Sequence, residues 1–470
     1  MSFKVYSRWL LTGVALASLA ACAADTDEAD PTPNPQVNPD PNTPEASNTI
    51  VDIASANPDF SLLVSAVVKA NLVEVLAGDD ALTVFAPSNE AFAASGLDAA
   101  AIESLTEDQA RQIVLYHAVS GTISSTDLST GIVSTVSSLS LVVATVDGVE
   151  LNGGNGISGG AKVVTADLPA DNGTLHVIDR VLIPPTIADL TRYAGLTELG
   201  AAVASAGLAE TLSGEGPFTV FAPTNEAFPD DTTGLNVTQI LTYHVLSGEV
   251  QSDQVTTGMV DTLATQAFGE GEGRLEVALD VYFDASAGVR LNNAASVVTA
   301  DIRATNGIVH VIDGVLTPMN IAQVASVAGF SQLSAAVGAS DPVPAELAGG
   351  GNAVAMADAL SSLSALTVFA PTDDAFAAAF PDGLPDDGSA ILGVLAGHAI
   401  AGSSPVLAAG LPADDMAQVP ALAGSLTFDA SAAPPTVSLV GGTSANIVGT
   451  DIGATNGVVH VIDSVLMAAP

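Results

Sequence analysis

Two short blocks of residues each occur three times along this chain, in the same order and at nearly the same separation, and no other feature restricts its fold as strongly. The first block is Thr83-Val84-Phe85-Ala86-Pro87-Ser88-Asn89-Glu90-Ala91-Phe92, repeated from Thr219 to Phe228 and again from Thr367 to Phe376. The second is Asn172-Gly173-Thr174-Leu175-His176-Val177-Ile178-Asp179, repeated from Asn306 to Asp313 and from Asn456 to Asp463. The first block leads the second by 89, 87 and 89 positions, which chance matches would not produce. Between them lies a third marker, Tyr116-His117 and Tyr243-His244, reduced to Gly397-His398 in the last copy. A chain of 470 residues has room for three units of ordinary domain size, each able to bury its own core.

The local chemistry of a unit predicts an α+β fold. β-branched and aromatic residues ending at Pro87 read as a strand. Ser88, Thr224 and Thr372 read as caps of a following helix, with Glu90 in its first turn. Val163-Val164-Thr165-Ala166-Asp167 and Leu175–Leu182 read as a hairpin whose positive φ comes from Asn172-Gly173. Upstream, Ile50, Ile53, Ala54, Phe60, Leu63, Val64, Val67 and Val68 recur at helical spacing, predicting a pair of short amphipathic helices on the sheet. The third unit carries an Ala- and Gly-rich insertion at about 340–365, expected to form a helix and loop.

The ordered set of blocks, with the Tyr-His pair between them, resembles the fasciclin domain, and the resemblance covers essentially all of residues 48–470. It implies three tandem fasciclin-like domains, 48–185, 186–319 and 320–470, each a β-sheet wedge with short helices, joined with almost no spacer at Pro184-Pro185-Thr186 and Thr317-Pro318-Met319. Such short joints predict stiff coupling between neighbours.

The first 21 residues read as an export signal, with Lys4 and Arg8 ahead of an apolar run, Trp9 to Ala21, too short to span a bilayer. Leu19-Ala20-Ala21-Cys22 resembles the lipobox of bacterial lipoproteins, which implies lipidation at Cys22, the only cysteine of the chain. A single thiol excludes a disulfide scaffold. Residues 22–47 are rich in Asp, Glu, Pro, Asn and Thr and read as an extended stalk. All 52 acidic residues but only eight of the ten basic ones follow Cys22, so the mature chain carries a formal charge of −44. That charge argues against nucleic-acid partners.

All six histidines belong to the repeats: His117, His244 and His398 in the Tyr-His marker, and His176, His310 and His460 in the hairpin. Alternation along a strand puts His176 and Asp179 on opposite faces, so they form no local metal or acid–base pair. We expect Asp179, Asp313 and Asp463 to look inward and to pair with His117, His244 and His398, because a buried carboxylate needs a partner. In animal relatives of the family the region of the Tyr-His pair is linked to integrin binding, which implies partner contact for Tyr116-His117 and Tyr243-His244; the flanking apolar runs favour packing instead. Gly156-Ile157-Ser158-Gly159-Gly160 fits G-x-S-x-G, but a strand follows where a nucleophile elbow needs a helix, so it reads as a hairpin loop. No phosphate loop, zinc-type cysteine set or dinucleotide fingerprint is present, and no cofactor or metal is expected.

The resemblance implies a surface-anchored, non-enzymatic adhesion protein acting in cell–cell or cell–matrix attachment, with the membrane as one partner through its lipid. An extracellular protein or matrix polymer is the other, and divalent cations could bridge carboxylates. Ala23 after the cysteine favours the outer membrane or cell surface. The alternative is an envelope-associated substrate-binding protein or hydrolase with its site in a domain loop, which predicts a cluster of polar residues confined to one unit.

Overall fold

The computed structural model describes residues 48–229, 234–271, 274–340, 342, 355–411 and 418–468; Cys22, the signal segment and the stalk lie outside them. Each of the three units is built on a seven-stranded sheet with one strand order. In unit 1 that order is Ala118–Ser120, Leu82–Pro87, Gly173–Ile178, Ala161–Ala170, Glu150–Leu151, Ser140–Ala144 and Gly131–Ser134. The two repeated blocks meet at the centre, where Leu82–Pro87 runs parallel to Gly173–Ile178 with Phe85 opposite His176. The other units reproduce this register with Phe221 opposite His310 and Phe369 opposite His460.

A central parallel pair is covered on both faces, which explains why all six residues of Leu82–Pro87 are buried and why the motif is continuously apolar. One face packs on the N-terminal helices through Ile50, Leu63, Val67, Val84, Val114 and Leu175. The other forms a second core around Phe85, Tyr116, Leu141, Leu151 and Ile178 as the sheet curls over it. Upstream of the first block, unit 1 has helices at Ile50–Ala56, Ser61–Lys69 and Val73–Leu76, a third beyond the expected pair. The first begins with a capping box, Thr49 with Asp52, matched by Thr186 with Asp189 and Asn320 with Gln323.

Two local expectations need correction. Ser88 and Thr372 cap helices through side-chain acceptance from Ala91 and Ala375, but Thr224 makes no such bond and is followed by only a single 3-10 turn. Pro229 is the reason: it forces Phe228 into extended geometry, and the helix cannot continue. In the third unit, the helix Met356–Ser362 is the counterpart of Val73–Leu76, since Asn456 binds Leu360 O as Asn172 binds Leu76 O. It is therefore not inserted chain, and residues 343–354 of the expected insertion lie outside the described ones.

Candidate functional site

The repeated polar residues lie within the fold and bind backbone groups of the surrounding helices and strands. His117 follows the helix Glu107–Tyr116; its Nδ1 donates to Ile113 O at 2.8 Å and its Nε2 accepts from Leu182 N–H at 2.9 Å. His244 does the same with Ile240 and Leu316, and His398 with Val394 and Leu466. Both ring nitrogens are committed and the ring must be the neutral Nδ1–H tautomer, because Nε2 is an acceptor. Burial depresses all three pKa values to about 4, and the carbonyl at Nδ1 opposes this only in part.

The hairpin histidines carry the opposite tautomer. His176 Nδ1 accepts from Asp167 N–H at 3.2 Å while Nε2 donates to Ile123 O at 3.0 Å. His310 and His460 repeat this with Asp301 and Val250 and with Asp451 and Val406. The three aspartates sit at φ 60, 61 and 60°, at a register shift in the long strand that precedes the hairpin. Their carboxylates extend the motif: Asp167 accepts from the N–H and hydroxyl of Ser125, and Asp301 from those of Ser252. Asp167 reads from the sequence as an ordinary strand residue, and the one signal of this role is an aspartate nine residues before each hairpin histidine.

Asp179, Asp313 and Asp463 do not pair with His117, His244 and His398, contrary to expectation. Asp179 accepts from Lys162 N–H at 2.7 Å, Asp313 from Ser296 N–H and Asp463 from the backbone and side chain of Asn446. His176, not Asp179, is fully buried. Asn172 bonds Ile50 N–H, Leu76 O and Gly78 O, tying the hairpin to the first and third helices; Asn306 and Asn456 act alike. Gly173, not Asn172, supplies the positive φ, and a Cβ there would lie 1.8 Å from Leu82 O; Gly307 and Gly457 meet the same obstruction.

Tyr116 and Tyr243 are fully buried, so neither side chain is presented to a partner. Tyr116 donates to Ser140 O and accepts from Asn152 Nδ2, and Tyr243 donates to Asp280 O and accepts from Asn292 Nδ2. Burial raises both phenol pKa values. Where the tyrosine is lost, at Gly397, the asparagine position holds Ser438, so the pair is absent as a pair. Ser158 of the G-x-S-x-G match sits in a loop before the strand Ala161–Ala170 and gives its carbonyl to Tyr193 of unit 2 at 2.6 Å, a joint between units and not a nucleophile elbow. Among the described residues, no group of three or more His, Cys, Asp or Glu side chains is arranged to hold a metal ion.

Comparison with known proteins agrees with this architecture. A family model described as the fasciclin domain matches residues 58–184, 194–318 and 346–468. Protein sll1483 of Synechocystis is 40% identical over 146 residues, 30% of this chain and 76% of that protein. Pig transforming growth factor-beta-induced protein ig-h3 is 27% identical over 440 residues, 89% of this chain and 58% of that protein. Human periostin is 29% identical over 46% of this chain, which spans only 26% of periostin. A solved domain pair from the insect cell adhesion molecule fasciclin I aligns at 19% identity and a TM-score of 0.36, over 58% of this chain and 96% of that one. With its two repeated blocks at the centre of every sheet and three family matches covering most of its length, the chain belongs to the fasciclin domain family.

Proposed function

We propose that this protein is a lipid-anchored, non-enzymatic adhesion protein of the cell envelope: Cys22 holds it to the membrane, the acidic stalk lifts it, and three coupled units present area for attachment to another cell or a matrix polymer. One observation supports this above others. The residues that recur in every unit, six histidines and three asparagines, are engaged with backbone groups of their own unit, as are the tyrosines of units 1 and 2, so they supply scaffold and not reacting groups. Recognition then falls to the surfaces, where weak contacts multiply through three linked copies. Divalent cations bridging surface carboxylates to acidic polymers fit the charge of −44 that follows Cys22.

The test compares cells carrying the wild-type chain, the Cys22→Ser variant and no protein, scored for aggregation and surface attachment with and without a chelator. Attachment should fall with loss of the protein, and the Cys22→Ser chain should leave the membrane fraction and attach no better than the null. Attachment equal in all three strains would end the adhesion reading. Attachment indifferent to chelation would remove only the cation bridge.

A further inference from the structure

Units 1 and 3 leave an apolar hollow open between the N-terminal helices and the sheet, while unit 2 closes the same space. The hollow of unit 1 is about 140 Å³, walled by Ile50, Ala54, Leu63, Val67 and Val114 with His117 at its floor. That of unit 3 is about 160 Å³, walled by the matching Ile321, Ala325, Leu333, Val337 and Leu395 with His398 at its floor. In unit 2 only about 20 Å³ remains beside His244.

Two positions separate the open units from the closed one, and one of them directly follows the histidine, where Ala118 and Ala399 of the open units are replaced by the larger Val245 in unit 2. Ala54 and Ala325 stand five residues after the helix caps Thr49 and Asn320, whereas Thr191 stands five after Thr186. Thr191 is buried and its hydroxyl donates to Ala188 O at 2.9 Å, so it adds bulk without leaving an unpaired group. Leu241 also exceeds its counterpart Val114, but Leu395 lines the open hollow of unit 3, so that exchange does not decide the outcome. The chain has filled this space once with its own side chains and has left it empty twice.

The walls restrict what can enter. Both nitrogens of His117 and of His398 are occupied within the protein, so the floor offers an incoming group neither donor nor acceptor. A charged or strongly polar group would be stripped of water without compensation. The surrounding protein is strongly acidic, which further disfavours carboxylates such as free fatty acids. At the mouth of the first hollow Val68 and Val73 are 61% and 39% exposed, so the apolar lining continues to solvent and gives an entry path. An apolar cavity of about 150 Å³ in another protein stays dry and admits benzene, which sets the size of the guest at about six carbons.

We propose that units 1 and 3 each hold a binding site for a small uncharged hydrocarbon group of about six carbons, and that unit 2 carries the same site in closed form. This stands apart from the adhesion reading and can fail without it. The test titrates the purified full chain with benzene, followed by methyl NMR and by the shift of the thermal unfolding midpoint. Saturable binding at two sites per chain is expected, falling to one in Ala54→Thr and to none in Ala54→Thr/Ala325→Thr, with the fold of each variant checked by circular dichroism. Thr191→Ala/Val245→Ala, which restores both small residues of the open units, should open a third site, which keeps the test informative if a filled variant fails to fold. No saturable binding by the wild type within the aqueous solubility of benzene, or binding unchanged in the folded double variant, would overturn the proposal and leave the hollows as packing voids.

Discussion

The junction between units 1 and 2 and the junction between units 2 and 3 use one geometry with different chemistry. At the first, Ser140 Oγ accepts from Arg303 N–H at 2.9 Å; at the second, an Asp280 carboxylate oxygen accepts from Gly453 N–H at 2.6 Å. The positions correspond: Ser140 and Asp280 each give a carbonyl to the tyrosine of the Tyr-His pair, and Arg303 and Gly453 each stand three residues before Asn-Gly. Val142 and Ile157 pack on unit 2 as Met259 and Tyr282 pack on unit 3. The second junction adds a cluster of Phe268, Leu275 and Val277 with Ala365, Leu407 and Val458, made possible by the longer hairpin strands Gly258–Phe268 and Leu275–Asp284. The outer ends depart from the pattern: Pro169 holds the Arg303 position and has no N–H to donate, while Thr427 stands where Val142 and Tyr282 pack.

The largest predicted difference is in response to pH. Burial raises the Asp280 pKa from 3.8 to about 7; the Gly453 N–H pulls it down, and the neighbouring Asp261 and Asp451 push it up. A carboxylate with a raised folded pKa binds more protons folded than unfolded, so its contribution to stability falls as pH rises from about 4 to 7 and is flat above. The interval from 3.8 to about 7, at about 1.4 kcal/mol per pH unit, puts the loss at roughly 4 kcal/mol at most. The buried histidines work the other way, because pKa values lowered to about 4 make stability rise with pH between about 4 and 6.5. Asp280→Asn isolates the junction: calorimetry at pH 8 should show a higher unfolding temperature than the wild type, with the two converging near pH 4. Ser140→Asp should import the same dependence into the first junction. Parallel pH profiles for wild type and Asp280→Asn would remove the carboxylate from this account.

A steric change ranks second. A Cβ at Gly453 would lie 1.8 Å from Ala278 O, so the two units approach backbone to backbone there, whereas Arg303 carries a full side chain that reaches Glu249 at 3.0 Å. Gly453→Ala should cost about 2–3 kcal/mol. It should also split the unfolding of unit 3 from that of units 1 and 2 in calorimetry. Arg303→Ala should cost under about 1 kcal/mol, since its ion pair is half exposed. An unsplit transition in Gly453→Ala would show that the close approach does not hold the units together.

The sequence made the three units and their central strands legible, because the motif residues are those that the parallel pair and its hairpin require. The roles of individual polar residues were less visible. Alternation sent Asp179 inward on the face of Val177, but a strand covered on both sides has no outer face to assign, and His176 took the buried place. Asn152 showed no signal beside Gly153 and Gly154, nor Asn292 beside Asn293, although their bonds complete the buried tyrosines. The junctions were hidden for a different reason. Ser140 and Arg303 are 163 positions apart, and Asp280 and Gly453 are 173 apart, so neither pair shares a local pattern.

A small and local effect gives the sharpest reading of the first junction. Ser140 is 5% exposed and its hydroxyl is the acceptor for Arg303 N–H, while its own carbonyl already serves Tyr116. Ser140→Ala removes that acceptor and leaves one backbone donor to find water at the joint, at a cost of about 1 kcal/mol. The carbonyl, and with it the core of unit 1, is untouched by the change. The loss should therefore appear as faster amide exchange at Arg303, with exchange at Leu182 unchanged. Equal acceleration at both amides would mean that the serine supports unit 1 itself, and the parallel with Asp280 would no longer hold.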